Sequence, residues 1–478
     1  MQESDGLFSG TKTQLFAAIS GTLFAISDGM SYGWTAPVIP YLISEESHLK
    51  TTKFEAEWLE SCLMFGSFLG LPFTIYFVDK IGRKKSLLLA AFISLISWIM
   101  IATADRMLFI FIARFSFGVT ANTSFVAAPI YVAEIADHKI RGFLSSVIYV
   151  NMLIGLVIVY TVGPFLPFYV PPLVGIAVLS IELSTFPFMP ESPYYLFHQG
   201  RVEAAIKSLE YFRPHRDVTV ELRNISKAVA RQKAEPGRFL DLVLARNSRK
   251  AIIIMTVLDV GQHLCALSVI LMNLHVILEA AGSIYMNSNV AAILFAVIML
   301  IAACLASLRV DKYGRKALII ISTILTGLCL LSMAVYFHLK LREYDVRAVS
   351  WIPIVAVMLY AASFKVGIGI VPIVLTAELF SSNMKAIGMT ISDLMYVAGS
   401  IVSLQCYQWL SNTYGMHVPF YVFAGSSFCI ALFTLLYIPE TKGKTLDEIQ
   451  YLLKGEEYVR TDSRSNLISS KSYSTFVE

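Results

Sequence analysis

Twelve long apolar runs dominate this chain and restrict it to one solvent. They fall at about 14–42, 57–78, 86–104, 107–133, 142–164, 168–189, 250–279, 286–308, 317–339, 350–377, 387–411 and 417–438. Each is long enough to cross a hydrocarbon core of about 30 Å, which takes roughly 20 helical residues. A strand edge in lipid would strand backbone donors and acceptors, and the runs lack the alternation of a barrel strand, so each is predicted to be a helix. Composition agrees: of 478 residues 56% are hydrophobic and 15% charged, with mean hydropathy +0.65. The expected class is an all-α membrane protein.

Lys and Arg then orient the bundle. Lys80, Arg83, Lys84 and Lys85 follow the second run, Lys139 and Arg141 the fourth, Arg309, Lys312, Arg315 and Lys316 the eighth, and Lys385 the tenth. The stretch 191–249 is basic too. By the positive-inside rule these loops and both termini face the cytoplasm. Lys340, Arg342 and Arg347 after the ninth run are the exception. The net charge of +4 follows from this topology, and it gives a nucleic-acid partner no support. The N-terminus lacks a basic region followed by a cleavage site, so the first run is expected to be retained.

The chain also repeats itself. DKIGRKK at 79–85 returns as DKYGRKA at 311–317; PIYVAEIADHKIRG (129–142) matches PIVLTAELFSSNMKAIG (372–388); PESP (190–193) matches PETKGK (439–444). Three matched pairs in one order imply two homologous six-helix halves, the arrangement in which a solute site lies near the midplane between them. The expected division is a cytoplasmic N-terminus 1–13, a first half 14–190, a linker 191–249 of amphipathic cytoplasmic helices, a second half 250–439 and a largely disordered cytoplasmic tail 440–478. Within the linker, Ala204, Ile206, Leu209, Leu222, Ile225 and Val229 supply the apolar face.

Taken together, the D-x-x-G-R-K loops, Arg114 and Gly118 as R-x-x-x-G, the P-x-Y-x-x-E-I segment, P-E-S-P and P-E-T-K-G resemble the sugar porters of the major facilitator superfamily. GMSYGWTAPVIPYL (29–42) is similar more narrowly to insect facilitated trehalose transporters and their relatives. The resemblance spans nearly the whole chain and implies transport of a trehalose- or hexose-class sugar by alternating access. It implies a cytoplasmic gate built from Asp79, Gly82, Arg83, Glu134 and Arg141, with Asp311, Gly314, Arg315, Glu378 and Lys385 as its twin. Physically, each Gly permits a tight turn and each Arg can pair with carboxylates. Anchoring of topology by the same charges is the alternative.

Charges inside a membrane cost about 2.5–3.5 kcal/mol each on insertion scales and so face a cavity or a partner. Asp28 is the sharpest case. Some proton-coupled sugar porters are similar in having an Asp there and an Arg at the place of Arg114, which makes proton coupling one expectation and a static pair the other. A rise of about 1.5 Å per residue puts Asp28 about 21 Å from Leu42 and Arg114 about 10 Å from Met107, so their pairing rests on the resemblance.

The solute site departs from the hexose-binding pattern of that family. Gln262 is kept, but His263, Cys265–Ala266 and Ser268 replace its Gln, Ser-Gly and Asn. Tyr149 stands for a Gln, Tyr396–Val397 for Asn-Trp, Ile373 for a Trp and Lys365 for a Glu. The candidate substrate-binding residues are Gln262, His263, Ser268, Asn273, Tyr149 and Tyr396. Asn151 and Asp393 are further cavity candidates, Asp259 or Asp393 could neutralise Lys365, and Glu60 and Glu182 have no assigned role. A helix–helix hydrogen bond is the competing role for each Asn and His.

Three functions remain open: a sugar transporter, facilitative or proton-coupled; a carrier of another organic solute; and a non-transporting sensor. No nucleotide loop, metal cluster or nucleophile elbow suggests an enzyme, and no cofactor or metal is expected. The expected partners are the sugar, protons if coupled, and membrane lipid, for a monomer in the plasma membrane. The six cysteines lie in apolar runs without metal-ligand spacing and are expected to be buried thiols.

Overall fold

A chain in lipid must satisfy its backbone internally, and the computed structural model is accordingly helical, with no strand among the described residues. These are 2–137, 140–214, 217–234, 244–309, 313–380, 384–444 and 446–455.

In the first half α1 (Gln2–Ser20), α2 (Phe24–Gly33) and α3 (Thr35–Ile43) form the first crossing. It continues with α4 (Lys53–Lys80), α5 (Arg83–Ala102), α6 (Met107–Phe125), α7 (Ala127–Ile135), α8 (Arg141–Val162) and α9 (Val170–Thr185). The second half has α13 (Arg246–Leu264), α14 (Leu267–Ala281), α15 (Ser288–Arg309), α16 (Arg315–Leu341), α17 (Ile352–Val366), α18 (Val371–Leu379), α19 (Lys385–Tyr414) and α20 (His417–Tyr437). Between the halves lie α10 (Pro193–His198), α11 (Val202–Phe212) and α12 (Thr219–Ala234), and α21 (Leu446–Lys454) follows the second half.

Among the described residues eleven stretches are long and apolar enough to cross a membrane. The remaining run of the sequence, 14–42, crosses in three pieces. Four crossings are broken, the first, fourth, seventh and tenth, which occupy equivalent places in the repeat. Proline sets three of the breaks. Pro37, Pro129 and Pro372 have no N–H for the carbonyls of Gly33, Phe125 and Ile368, four residues earlier, and there α2 ends, α6 ends and the gap between α17 and α18 lies. The seventh crossing has no proline at its break; Ala266 turns left-handed instead, at φ 68°. The Tyr360 hydroxyl donates to the Cys265 carbonyl freed there, at 2.8 Å.

The halves meet through α3 on α14, α4 on α19 and α8 on α15. Large apolar side chains cover the outside of the bundle, Leu69, Phe73, Phe92 and Leu435 among them. In water such a surface would drive association; in lipid it is the natural face. The cysteines divide: Cys265 and Cys329 are buried, whereas Cys304 and Cys429 lie on this apolar exterior. An apolar run buries only part of its circumference in protein, which is why run membership alone mispredicts these thiols.

Helices α10–α12 belong to the first half. Leu209, Ile225 and Val229 form their own small core with Tyr194 and Phe197, and Arg213 donates to the Ile135 carbonyl at 2.9 Å. The region expected to be a disordered tail begins with ordered structure: α21 buries Ile449 and Leu453, and Gln450 donates to the Leu379 carbonyl at 2.8 Å. Residues 456–478 lie outside the described residues.

Candidate functional site

The four broken crossings surround a cavity between the halves. Its empty space is about 550 Å3 when the solvent at its open mouth is counted. Tyr32, Tyr149, Gln262, Lys365 and Tyr396 are the hydrogen-bonding side chains of a wall otherwise made of Leu, Met, Phe and Gly. Of the six candidate substrate residues, Gln262, Tyr149 and Tyr396 line this wall.

The other three are engaged behind it. Ser268 is a hub whose hydroxyl meets Tyr32 at 2.6 Å, His263 Nδ1 at 2.7 Å and Ser400 at 2.6 Å. His263 is fully buried, with its ring 4.2 Å from that of Tyr396. Asn273 donates to Glu60 Oε2 at 3.0 Å across the two halves. Asn151 likewise bonds Thr22 within the first half, at 3.1 Å. Asp259 accepts the Ser392 hydroxyl. Lys365 has no ion-pair partner among the described residues, and its Nζ lies 5.9 Å from the centre of the Tyr149 ring.

The Asp28 and Arg114 side chains are both buried. Arg114 donates to the carbonyls of Leu59, at 3.3 Å, and Ser31, and its guanidinium lies 5.7 Å from the Trp34 ring centre. None of its hydrogen bonds reaches Asp28, which lies one turn before Ser31 on α2. The carboxyl in its electrostatic neighbourhood is that of Glu60. Glu182, on α9, is fully buried close to Asp28.

Hydrogen bonds between the halves run from this cavity to the end of the bundle opposite the termini. Thr35 donates to the Met272 carbonyl at 3.3 Å, Tyr160 to that of Leu271, and Gln405 to Ser61 Oγ at 2.6 Å. Further out, Gln408 donates to the Glu57 carbonyl at 2.9 Å and Asn412 to the Glu57 carboxylate at 3.0 Å. At the end that carries the termini no such bond joins the halves among the described residues.

The repeated motifs assemble there instead, once in each half. Arg83 Nε lies 3.2 Å from Glu134, which also accepts the Ser192 hydroxyl. In the second half Arg315 Nη2 lies 3.0 Å from Glu378, which accepts the Thr441 hydroxyl at 2.6 Å. Asp79 is peripheral, 74% exposed and 3.7 Å from Arg83. The side chains of Arg141 and Lys385, and Asp311 altogether, lie outside the described residues.

Sequence reasoning missed how these motifs connect. The Glu of each P-E-S or P-E-T segment caps the helix that starts at the repeated loop. Glu191 accepts the Lys84 amide at 2.9 Å, and Glu440 accepts the Arg315 amide at 2.9 Å and that of Lys316 at 3.1 Å. A carboxylate at a helix N-terminus satisfies orphan donors and the macrodipole together. The glycine leaves it room: a Cβ on Gly82 or Gly314 would collide with that carboxylate. The signal was present, since motifs duplicated in step across two halves are candidates to touch in each.

Comparison with known proteins supplies the lineage. A family model described as sugar (and other) transporter matches residues 13–453. The facilitated trehalose transporter of Bombyx mori is 26% identical over 95% of this chain and 89% of its own length. That of Drosophila virilis is 25% identical over 93% of this chain, which spans 49% of that longer protein. Among solved structures, the xylose transporter XylE from E. coli in its inward-open conformation aligns with TM-score 0.74 at 21% identity, over 93% of this chain and 99% of that one. The same transporter, bound to 6-bromo-6-deoxy-D-glucose, aligns at TM-score 0.71.

Proposed function

The chain belongs to the sugar (and other) transporter family, and we propose that it carries a sugar of the trehalose or hexose class across the plasma membrane by alternating access. The observation that carries this reading is the cavity walled by both halves and sealed at one end by hydrogen bonds between them. Residues from broken helices supply its polar wall, which is where a solute's hydroxyls find partners without unsatisfied backbone meeting lipid. Gln262 both donates and accepts, and the tyrosines add hydroxyls on flat apolar rings; that combination suits the polar edge and C–H face of a sugar.

We place both termini in the cytoplasm on the distribution of Lys and Arg. The sealed end then faces outward, and this conformation is the inward-facing state. The two Arg–Glu clusters lie at the cytoplasmic ends of the halves, where they hold each half rigid and would meet when that end closes. Asp28 and Arg114 are the candidates for proton coupling. The protein works as a monomer and needs no cofactor or metal in this reading.

Purified full-length protein in proteoliposomes, offered labelled trehalose and glucose with and without an inward proton gradient, tests the proposal. Saturable uptake of either sugar supports it. Folded, monodisperse protein that neither binds nor moves a sugar refutes it.

A further inference from the structure

Lys365 lies in the last turn of α17, just before the break of the tenth crossing, and is 7% exposed. Among the described residues lining the cavity it is the one with a formal charge at neutral pH. Its neighbours are rings: the Tyr149 centroid 5.9 Å and the Phe364 centroid 6.0 Å from Nζ. The carboxyls of that region are engaged or set apart from it. Asp259 holds Ser392, and Asp393 belongs to the surroundings of Tyr149 without an ion pair to Lys365. Neither lines the cavity.

Withdrawing an ammonium from water without a counter-charge is unfavourable. A ring face at these distances returns only part of that cost. The remaining deficit is removed by an anion entering the cavity, so an anionic solute gains an interaction there that a neutral one of the same shape does not.

We propose that Lys365 is the charge-selecting residue of this cavity and that the preferred solute is a sugar acid, a polyhydroxylated ring bearing one carboxylate. The carboxylate takes Lys365, while Gln262 and the hydroxyls of Tyr149 and Tyr396 take the ring hydroxyls. One cation matches one negative charge. A phosphorylated sugar brings about 1.5–2 negative charges and would leave the excess facing a wall with no second cation.

This inference rests on the transport reading above and is tested so that the two can fail separately. Glucuronate and glucose differ only in a carboxylate against a hydroxymethyl group at one carbon, so the pair isolates charge. Binding of each to the purified full-length protein, and competition of each against labelled uptake in proteoliposomes, is compared for wild type, Lys365→Arg and Lys365→Met. The expected result is glucuronate preferred over glucose by about tenfold or more in wild type, preferred still in Lys365→Arg, and disfavoured in Lys365→Met. Glucose equal to or better than glucuronate in wild type overturns the inference and leaves sugar transport standing. A preference unchanged in Lys365→Met overturns Lys365 as its source. Failure of folded wild type to bind either compound overturns the inference, and failure to take up trehalose as well overturns the transport reading. Should Lys365→Met not fold, the wild-type ratio and Lys365→Arg decide.

Discussion

Glu191 accepts the backbone amide of Lys84 at 2.9 Å, joining the linker side of the first half to the first turn of α5 across 107 residues of chain. Loss of a helix cap costs about 0.5–2 kcal/mol, so Glu191→Ala should lower the unfolding temperature in detergent measurably. Gly82→Ala should cost more. Gly82 adopts φ 104° and its hydrogen occupies the space where a Cβ would strike that carboxylate; strain and the lost cap then add. A Gly82→Ala protein as stable as wild type would mean that the capping geometry carries no weight.

Much of this arrangement was legible before any coordinates. Twelve apolar runs and two halves followed from hydropathy and duplicated motifs, and the family resemblance put Arg83 with Glu134 and Arg315 with Glu378 in one cluster per half without saying which carboxylate each Arg takes. The breaks were not drawn from the sequence, although Pro37, Pro129 and Pro372 mark three of them; Ala266, left-handed at φ 68° with no proline beside it, carries no such mark. Which side of a helix faces the cavity was not readable, because in a membrane bundle every face is apolar and the periodicity that marks a soluble helix vanishes. Hence His263, Ser268 and Asn273 looked like solute ligands although they bind neighbouring helices, and Glu60 had no assignable partner until Asn273, 213 residues away, lay against it.

The two Arg–Glu pairs should matter more than Asp79 of the first repeated loop. Arg315 is 8% and Glu378 21% exposed, whereas Asp79 is 74% exposed. Partly buried pairs lose a few kcal/mol when one partner is removed, while exposed pairs are worth about 0–1 kcal/mol. Glu378→Gln is therefore expected to reduce stability by about 2 kcal/mol and Asp79→Asn by less than about 0.5 kcal/mol. Thermal unfolding of the two variants side by side reads the difference; equal losses would contradict the burial argument.

The Asn273–Glu60 bond biases the transport cycle. It exists only while the end opposite the termini is closed, so its loss leaves a buried Glu60 oxygen without a donor in that state and costs about 1–3 kcal/mol there. In the opposite state water reaches both groups and little changes. Asn273→Ala should shift the equilibrium toward opening of that end by roughly 5–150-fold. Spin labels at Lys50 and Tyr414, both exposed on opposite halves, measure it: the long-distance population should grow in the variant. An unchanged distance distribution would show that the remaining bonds between the halves, those of Thr35, Tyr160, Gln405, Gln408 and Asn412 among them, hold the end closed without it.

Asp28 separates coupling from structure. It sits on α2 with Arg114 bonded to the Ser31 carbonyl one turn away and with the fully buried Glu182 close to it. A buried carboxyl exchanges its proton only when water reaches it, and such a requirement would tie proton movement to conformation. If Asp28 carries the coupled proton, lowering the external pH should accelerate uptake by wild type, because the loaded form is the protonated one. Asp28→Asn mimics that form permanently. It should exchange sugar across the membrane down its gradient but fail to concentrate it against one, with a rate flat in external pH. If Asp28 serves only to order the first half, Asp28→Asn loses exchange and net uptake together, alongside thermal stability. Accumulation by Asp28→Asn at the wild-type level, in the same gradient, would remove Asp28 from the proton path altogether.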